Sequence, residues 1–117
     1  IERGRRVLAV DYNRALDKIP MLNGALNELF DLRCDVILTP ATTGTAPRGL
    51  ESTGDPMFCT LWTLCGMPTV TLPLMQGENG LPLGVQLVGR RGDDARLLRV
   101  ARWLVNHVQQ SLEASPQ

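Results

Sequence analysis

The chain has 117 residues, of which 44% are apolar, and its twelve basic side chains balance twelve acidic ones. This size and composition fit one globular domain or part of one, without the basic excess that is typical of nucleic-acid binders. No apolar run has the length of a membrane span and no signal-peptide pattern occurs, so we expect a cytoplasmic protein with no membrane or direct nucleic-acid partner. Because the chain begins at Ile1 rather than Met, we expect a piece of a longer protein.

The first part of the chain carries one apolar stripe at alternating spacings of four and three residues, which predicts a helix. Its members are Leu8, Tyr12, Ala15, Ile19, Leu22, Leu26 and Leu29. Pro20 should cost about 3 kcal/mol in a helix interior, yet the stripe keeps its phase on both sides of it. This favours a kinked helix, or two abutting helices, as a helical lead-in over residues 1–31. A coiled-coil seam is the alternative, which the shortness of the run disfavours.

A strand, a long loop and a short helix are predicted next. Residues 36–39 are β-favouring and read as a short interior strand. Residues 41–55 are rich in Thr, Gly, Pro and Ser, and a loop of this length in a small domain usually lines a site or meets a partner. Asp55 as N-cap, Pro56 at the first helical position and Gly66 as a stop predict a helix over residues 57–65. Since that helix has no polar face, we expect it to be buried.

Two apolar, β-rich runs at residues 69–74 and 83–88 flank a turn that contains Asn79 and Gly80, which predicts a β-hairpin. The strand–helix–strand order before it predicts a parallel, right-handed β-α-β unit, to which the hairpin adds an antiparallel neighbour. The predicted fold class is therefore α/β, with a small mixed sheet covered by the N-terminal kinked helix and a C-terminal helix.

The C-terminal helix is predicted to begin at Asp93 and Asp94, since acidic residues suit the positive end of a helix. One clean apolar face comprises Leu97, Leu98, Ala101, Leu104, Val105, Val108 and Leu112. Residues 113–117 are predicted to form a tail. Val100, Trp103 and His107 form a second stripe, for which two interpretations stay open. Either Trp103 packs at a sheet margin and His107 lies on the surface, or the stripe contacts a further part of the protein.

The residues offer no convincing active site by themselves. Cys34, Cys59 and Cys65 lack Cys-x-x-Cys spacing, so we expect buried free thiols, and with the single histidine they match no metal-ligand spacing. Nothing in the local sequence brings Ser52 to Lys18, the only lysine, as nucleophilic catalysis would require. We therefore assign no catalytic residue, metal ligand or cofactor to this chain.

Several motifs nevertheless stand in a recognisable order. They are Asp35-Val-Ile-Leu-Thr-Pro40, Ala46-Pro47, Gly54-Asp55, Trp62-Thr-Leu-Cys-Gly-Met-Pro68, Leu72-Pro73, Gly80-Leu-Pro-Leu-Gly-Val-Gln-Leu-Val-Gly89 and Asp93-Asp94 with Leu97-Leu98. In this order and spacing, from Phe30 to Leu104, the chain resembles the C-terminal part of an amidase signature family enzyme. The resemblance implies that residues 1–117 are a single partial domain of a larger α/β/α layered fold.

The same resemblance implies hydrolysis or transfer at carboxamides by a Ser–Ser–Lys mechanism, with a small carboxamide substrate. The glycine- and serine-rich signature of that family and its lysine have no match here, so we expect the catalytic residues in an upstream half that would be this chain's partner. Two alternatives stay open: the amidase-type subunit of a glutamine-dependent tRNA amidotransferase, and a non-catalytic interaction module on the amidase scaffold. Unpaired strand edges and bare apolar patches lead us to expect that the isolated chain self-associates.

By position, the resemblance implies that seven residues wall the substrate pocket: Thr39, Thr42, Thr43, Asp55, Phe58, Trp62 and Thr63. In glutamine-dependent members an acid near the start of the helix holds the substrate ammonium. Here the matching position is Pro56, one residue from Asp55, which weakens the case for glutamine. For Phe58 and Trp62, plain core packing is the alternative.

Overall fold

The computed structural model describes residues 2–114. Within them, five helices and three strands follow in the order α1 (Glu2–Arg5), α2 (Ala9–Leu16), α3 (Lys18–Leu32), β1 (Val36–Pro40), α4 (Met57–Cys65), β2 (Thr69–Gln76), β3 (Pro82–Gly89) and α5 (Asp94–Ala114). Among these helices, none combines the length and apolarity that a bilayer crossing requires. The predicted α/β class and the predicted hairpin are confirmed.

The three strands form one sheet in the order β1-β3-β2, and both pairings are antiparallel. The expected mixed sheet, with β1 and β2 as parallel neighbours, is therefore wrong in its pairing, because β3 lies between them. β1 and β2 do run in the same direction, since each is antiparallel to β3. The tight hairpin uses one side of the β3 backbone, and the groups on its other side are left to pair with β1.

The N-terminal segment consists of abutting helices rather than one kinked helix, and α2 and α3 separate at Asp17 rather than at Pro20. Pro20 thereby lies in the first turn of α3, where a missing N–H removes no helical hydrogen bond. Leu22 and Leu26 of the predicted stripe pack on the core, where they are joined by Phe30 rather than by the predicted Leu29, which is 37% exposed. The first half stays in solvent: Leu8 is 65% exposed.

Strand β3 is the centre of the fold because both of its faces are covered. On one face, Leu97 and Ala101 of α5 pack on Leu87. On the other face, Val88 packs with Cys65 and Met67 and is joined by side chains of α3 and α4. Consecutive residues of a strand point to opposite faces, so Leu87 and Val88 can each enter a different cluster. Both are at most 1% exposed.

The predicted span of α4 is confirmed, but the N-cap residue is Pro56, one position after the predicted Asp55, and the predicted burial is wrong. Asp55 Oδ1 accepts the backbone N–H of Met57 at 2.9 Å, and Gly66 ends the helix with a φ of 64°. Met57, Leu61 and Leu64 are 62%, 40% and 49% exposed. Only one side of α4 meets the core, and its remaining apolar side chains face solvent.

The C-terminal helix α5 reaches Ala114, so residues 113 and 114 of the predicted tail are helical, and residues 115–117 lie outside the described part of the chain. The interpretation that Trp103 packs at a sheet margin is wrong. The residue is 61% exposed, and its ring stacks on that of His107, with the ring centroids 5.3 Å apart. Of the three free cysteines only Cys65 is fully buried, whereas Cys59 is exposed.

The described chain is open rather than closed around one core. Its radius of gyration is 17.7 Å, whereas a compact domain of this length has a radius of about 13 Å. Its accessible surface is 9291 Å², against roughly 6300 Å² for a compact protein of this mass. A large share of the apolar surface of the described chain is therefore exposed to solvent.

Candidate functional site

A cleft of about 270 Å³ lies between the loop of residues 41–55 and the sheet. The loop contributes Thr42, Thr43, Thr45 and Asp55 to its lining, and the sheet contributes Thr71 and Gly84. Five threonines place hydroxyl groups in a lining that otherwise consists mostly of alanine, glycine and proline, and Asp55 is its one titratable side chain among the described residues. Such a wall can donate and accept hydrogen bonds and carries a single negative charge.

Both ends of the loop are fixed to regular structure. At its start, the Ala41 N–H donates to the Gly84 carbonyl at 3.1 Å, which continues the pairing of β1 with β3. At its end, Asp55 caps α4 through the Met57 N–H. The loop therefore leaves β1 and returns into α4 with both ends in defined positions.

Gly84 is required where the loop approaches the sheet. A Cβ atom at this position would lie 2.5 Å from Thr71 Cγ2 and 3.0 Å from the Ala41 Cβ. Neither neighbour has a flexible side chain that could move aside. The glycine therefore lets the first residue of the loop lie directly on β3.

Gln86 is a buried polar residue that the sequence analysis does not single out. It is 2% exposed, and its Nε2 donates to Thr39 Oγ1 at 3.1 Å and to the Phe58 carbonyl at 2.9 Å. Cys59 Sγ lies 3.8 Å from its Oε1. Because a buried amide with all these partners joins β1, β3 and α4, Gln86 fixes the distance between the two ends of the loop. The signal in the sequence is one polar residue between Val85 and Leu87.

The seven predicted site residues fall into two groups. Thr42, Thr43 and Asp55 line the cleft together. The structure does not bring the other four to this cleft. Their roles in substrate binding stay a prediction.

The other four have defined positions of their own. Thr39 and Phe58 contact Gln86, the first through its hydroxyl and the second through its carbonyl. Trp62 packs on the buried cluster around Val88, as the core-packing alternative proposed. Thr63 lines a separate, shallow apolar depression on α4.

A second cleft, of about 210 Å³, lies between the end of α3 and the start of α5. Arg90 pairs with Asp31, and Arg96 pairs with Asp35 at 2.6 Å and with Asp93 at 2.8 Å. The hydrogen bond that Arg96 donates to Asp35, followed by the charges of Asp93 and Asp35, raises the pKa of Arg96. Because both arginines already have aspartate partners, this cleft offers less to a charged ligand than its composition suggests. No group of three or more metal-ligating side chains occurs within residues 2–114.

Comparison with known proteins identifies relatives by sequence. The profile of the family described as Amidase matches residues 1–98. Over 91 residues, the chain is 36% identical to the A subunit of the mitochondrial glutamyl-tRNA(Gln) amidotransferase of Mus musculus, a match that covers 70% of this chain and 17% of that protein. It is 34% identical over 104 residues to the A subunit of the glutamyl-tRNA(Gln) amidotransferase of Cupriavidus necator, covering 83% of this chain and 18% of that protein.

Two solved structures superpose on most of this chain. The A subunit of the glutamyl-tRNA(Gln) amidotransferase of Thermotoga maritima superposes with a TM-score of 0.63 and 33% identity, over 75% of this chain and 20% of that one. The 6-aminohexanoate cyclic dimer hydrolase superposes with a TM-score of 0.73 over 92% of this chain and 26% of that one. Its identity is 21%, so this likeness concerns the fold alone. The chain spans less than a fifth of the length of these curated relatives.

Proposed function

The chain belongs to the amidase family, and on that premise we propose that it is the C-terminal part of an amidohydrolase that cleaves carboxamide bonds. One observation carries the proposal: segments that resemble amidase motifs, far apart in the sequence, meet at one cleft. The motifs of residues 46–47 and 54–55 line the cleft, and the motif of residues 80–89 supplies Pro82 and Gly84 to the same lining. The relatives' greater length supports a larger enzyme around this cleft.

In the proposed mechanism, a serine supplied by the rest of the enzyme attacks the amide carbonyl. Its proton passes through the second serine and the lysine to the leaving amine, and water then hydrolyses the acyl-enzyme. Among this chain's own residues, Ser52 Oγ accepts the Gly54 N–H at 3.1 Å inside its loop, and Lys18 begins α3. These placements support a nucleophile and a base outside the chain.

The role proposed for this chain is to wall the substrate pocket. Thr42 and Thr43 would offer hydroxyl groups to a neutral amide. Asp55 uses Oδ1 to cap α4 and keeps acceptor capacity on Oδ2, so it would favour a substrate with a positive or neutral polar group. A substrate carboxylate would be repelled by this wall unless another part of the enzyme neutralised it.

The exposed apolar surface supports a large partner that meets both faces of the sheet near its β1 edge, since Leu38 lies on the face of α5 and α4 lies on the other face. Leu38 of the edge strand β1 is 60% exposed, and most apolar side chains of α4 are also exposed to solvent. We propose that the upstream half of the enzyme covers them. In its absence, the same surfaces would make the isolated chain self-associate, which sedimentation at micromolar concentration would detect.

A second candidate is the A subunit of a glutamine-dependent tRNA amidotransferase. It is favoured by the relatives of that name at 33–36% identity and by an acidic residue in the cleft. The one-residue offset of Asp55 from the family position counts against it. In this alternative the enzyme would work with partner subunits and use glutamine as the ammonia donor.

The test measures ammonia release by the enzyme that contains this chain, with simple carboxamides and with glutamine. We expect hydrolysis of carboxamides without added subunits, and a raised KM in Asp55→Asn for substrates that carry an amine. Glu51→Gln, in the same loop but outside the cleft lining, is the matched control. Activity that requires glutamine and co-purifying subunits would replace this proposal with the amidotransferase. If the enzyme hydrolyses neither simple carboxamides nor glutamine, both proposed functions are wrong, and a non-catalytic module is the interpretation that is left.

A further inference from the structure

The turn between β2 and β3 is bound to the loop that walls the cleft. Asn79 Nδ2 donates to Thr45 Oγ1 at 3.0 Å, across 34 positions of sequence. Asn79 Oδ1 accepts the backbone N–H of Leu81 at 3.2 Å. Because a backbone N–H is only a donor, the amide oxygen must face Leu81, and the amino group then faces Thr45. The orientation of this side chain is thus determined by its two partners.

The turn that carries Asn79 is itself well ordered by hydrogen bonds. The Gly77 N–H donates to the Leu81 carbonyl at 2.9 Å, and the Gly80 N–H donates to the Gly77 carbonyl at 2.9 Å. Gln76 Nε2 donates to the Gly80 carbonyl at 2.9 Å. Asn79 is therefore presented to the loop from a turn with three internal hydrogen bonds.

Thr45 also packs directly on the backbone of this turn. A Cβ atom at Gly77 would lie 2.3 Å from Thr45 Cγ2, so only glycine allows the methyl group of Thr45 to approach this closely. Thr45 is half-buried as a result, whereas Thr42 and Thr43 are exposed. Its methyl group and its hydroxyl group both contact the hairpin turn.

The rest of the loop interior is held by contacts within the loop. The Thr42 hydroxyl donates to the Gly44 carbonyl, and the Gly54 N–H donates to Ser52 Oγ. Within the described residues, Thr45 is the member of residues 42–54 whose hydrogen bond leaves the loop. The position of the loop between its two fixed ends therefore depends on this single bond and the methyl contact beside it.

We propose that Asn79 is a positioning residue of the candidate site, which holds the wall formed by Thr42 and Thr43 in place through Thr45. The effect on substrate binding rests on the proposed function, whereas the effect on the loop does not. Removal of the Asn79–Thr45 bond lets the loop open more often, so substrate meets a less ordered wall and KM rises while kcat is retained.

The first experiment needs no enzymatic activity. Arg48 lies in the loop, so the rate of trypsin cleavage after Arg48 reports loop opening, and cleavage after Arg33 at the end of α3 is the internal reference. We expect Asn79→Ala to accelerate cleavage after Arg48 about two- to tenfold, the range of one net hydrogen bond, with Arg33 unchanged. Thr45→Val, which keeps the shape and loses the hydroxyl, should match it.

Three further variants sharpen the result. The double variant of Asn79→Ala with Thr45→Val should cleave no faster than either single variant, because both remove the same bond. Thr45→Ser keeps the hydroxyl but loses the methyl contact with Gly77, so its rate should lie between that of the unmodified chain and that of Thr45→Val. Glu78→Ala, in the same turn, is the matched control and should leave the rate unchanged.

The second experiment uses the enzyme that contains this chain. Asn79→Ala should raise KM about two- to tenfold with kcat retained. An unchanged rate at Arg48 in both single variants would overturn the inference, and so would equal acceleration at Arg33, since Asn79 would then support the whole fold. An unchanged KM in a variant whose loop opens would overturn the role in binding. Faster cleavage without amide hydrolysis by any form of the enzyme refutes the proposed function and leaves the loop role standing.

Discussion

Leu38 and Leu87 are cross-strand partners on one face of the sheet, yet they are 60% and 1% exposed. The difference lies in their cover. The closed side of the molecule consists of α5 with β2 and β3, on which α5 packs. The open side is the β1 edge of the sheet together with the loop of residues 41–55 and with α4, which packs on the opposite face from α5, and most of its apolar side chains face solvent. An apolar pattern therefore predicts burial only where the chain also supplies the element that covers it.

The helices of the two sides make the same point. Helix α5 is amphipathic and buries Leu97 and Ala101 on the sheet. Helix α4 is apolar all round and buries only Cys65 fully. A helix without a polar face is expected to be covered on every side. The exposure of α4 therefore supports the proposal that further protein covers the open side.

The largest expected effect comes from truncating the two partner leucines. Leu87→Ala should lower the free energy of unfolding by about 2–5 kcal/mol, because it opens a cavity under α5. Leu38→Ala, the matched control on the same face, should cost less than about 1 kcal/mol, because its side chain is already in solvent. Urea unfolding followed by circular dichroism measures both. Equal losses would mean that the two sides do not differ as described.

The next effect concerns two glycines, one at the cleft and one on the outside. Gly84→Ala should cost about 1–3 kcal/mol, because its Cβ would overlap Thr71 and Ala41. Gly24→Ala, in the middle of α3 with nothing within 4 Å of the added Cβ, should stabilise the chain by about 0.5–1 kcal/mol. We predict that the two substitutions change the free energy of unfolding in opposite directions, and the unfolding midpoints of the two variants measure these changes. A neutral Gly84→Ala would contradict the close packing of the loop on β3.

Gln86 joins the open side of the molecule to the closed side. Gln86→Leu should lower the free energy of unfolding by about 1–3 kcal/mol. The reason is that the part-buried carbonyl of Phe58 and the hydroxyl of Thr39 would lose the Gln86 donor. Thr39→Val removes only one of these hydrogen bonds and should cost about 0.5–1.5 kcal/mol. Hydrogen exchange at the first turn of α4 should accelerate more in Gln86→Leu than in Thr39→Val. The reverse order would show that Gln86 does not hold α4.

The smallest effect concerns the ion pairs beside the second cleft. Arg96→Gln should cause a slight loss of stability that disappears in about 1 M salt, where exposed charges are screened. Because the two ion pairs raise the pKa of Arg96, they stabilise the folded chain at any pH below the pKa that arginine has in the unfolded chain. Their contribution to the free energy of unfolding should therefore stay constant from about pH 5 to pH 9. Arg99→Gln, on the same helix, is the control. A loss that persists in high salt would assign Arg96 a role in packing.

Much of the local structure follows from short signals in the sequence. Asp55 and Gly66 predict the two ends of α4, and the turn at Asn79 and Gly80 predicts the hairpin, because each acts on its own few residues. The insertion of β3 between β1 and β2 does not follow, since the pattern of apolar residues is equally compatible with either neighbour. Pro20 does not mark the break between α2 and α3, because the first turn of a helix tolerates proline.

The candidate site is only partly predictable for the same reason. The length and composition of residues 41–55 predict a site-lining loop, and Thr42, Thr43 and Asp55 do line one cleft. The contacts that position this loop do not follow from the sequence, because Asn79 meets Thr45 only after the hairpin has folded back. The exposure of α4 does not follow either, because the sequence of a helix does not reveal whether its cover belongs to the same stretch of chain.

The most direct test of the central claim is ammonia release from simple carboxamides by the 117-residue chain alone and by the same chain joined to the upstream amidase half. The account predicts no release by the chain alone and hydrolysis by the joined protein, since the nucleophile and its base are proposed to lie outside this chain. Hydrolysis by the chain alone, abolished by Ser52→Ala or Lys18→Ala, would contradict it.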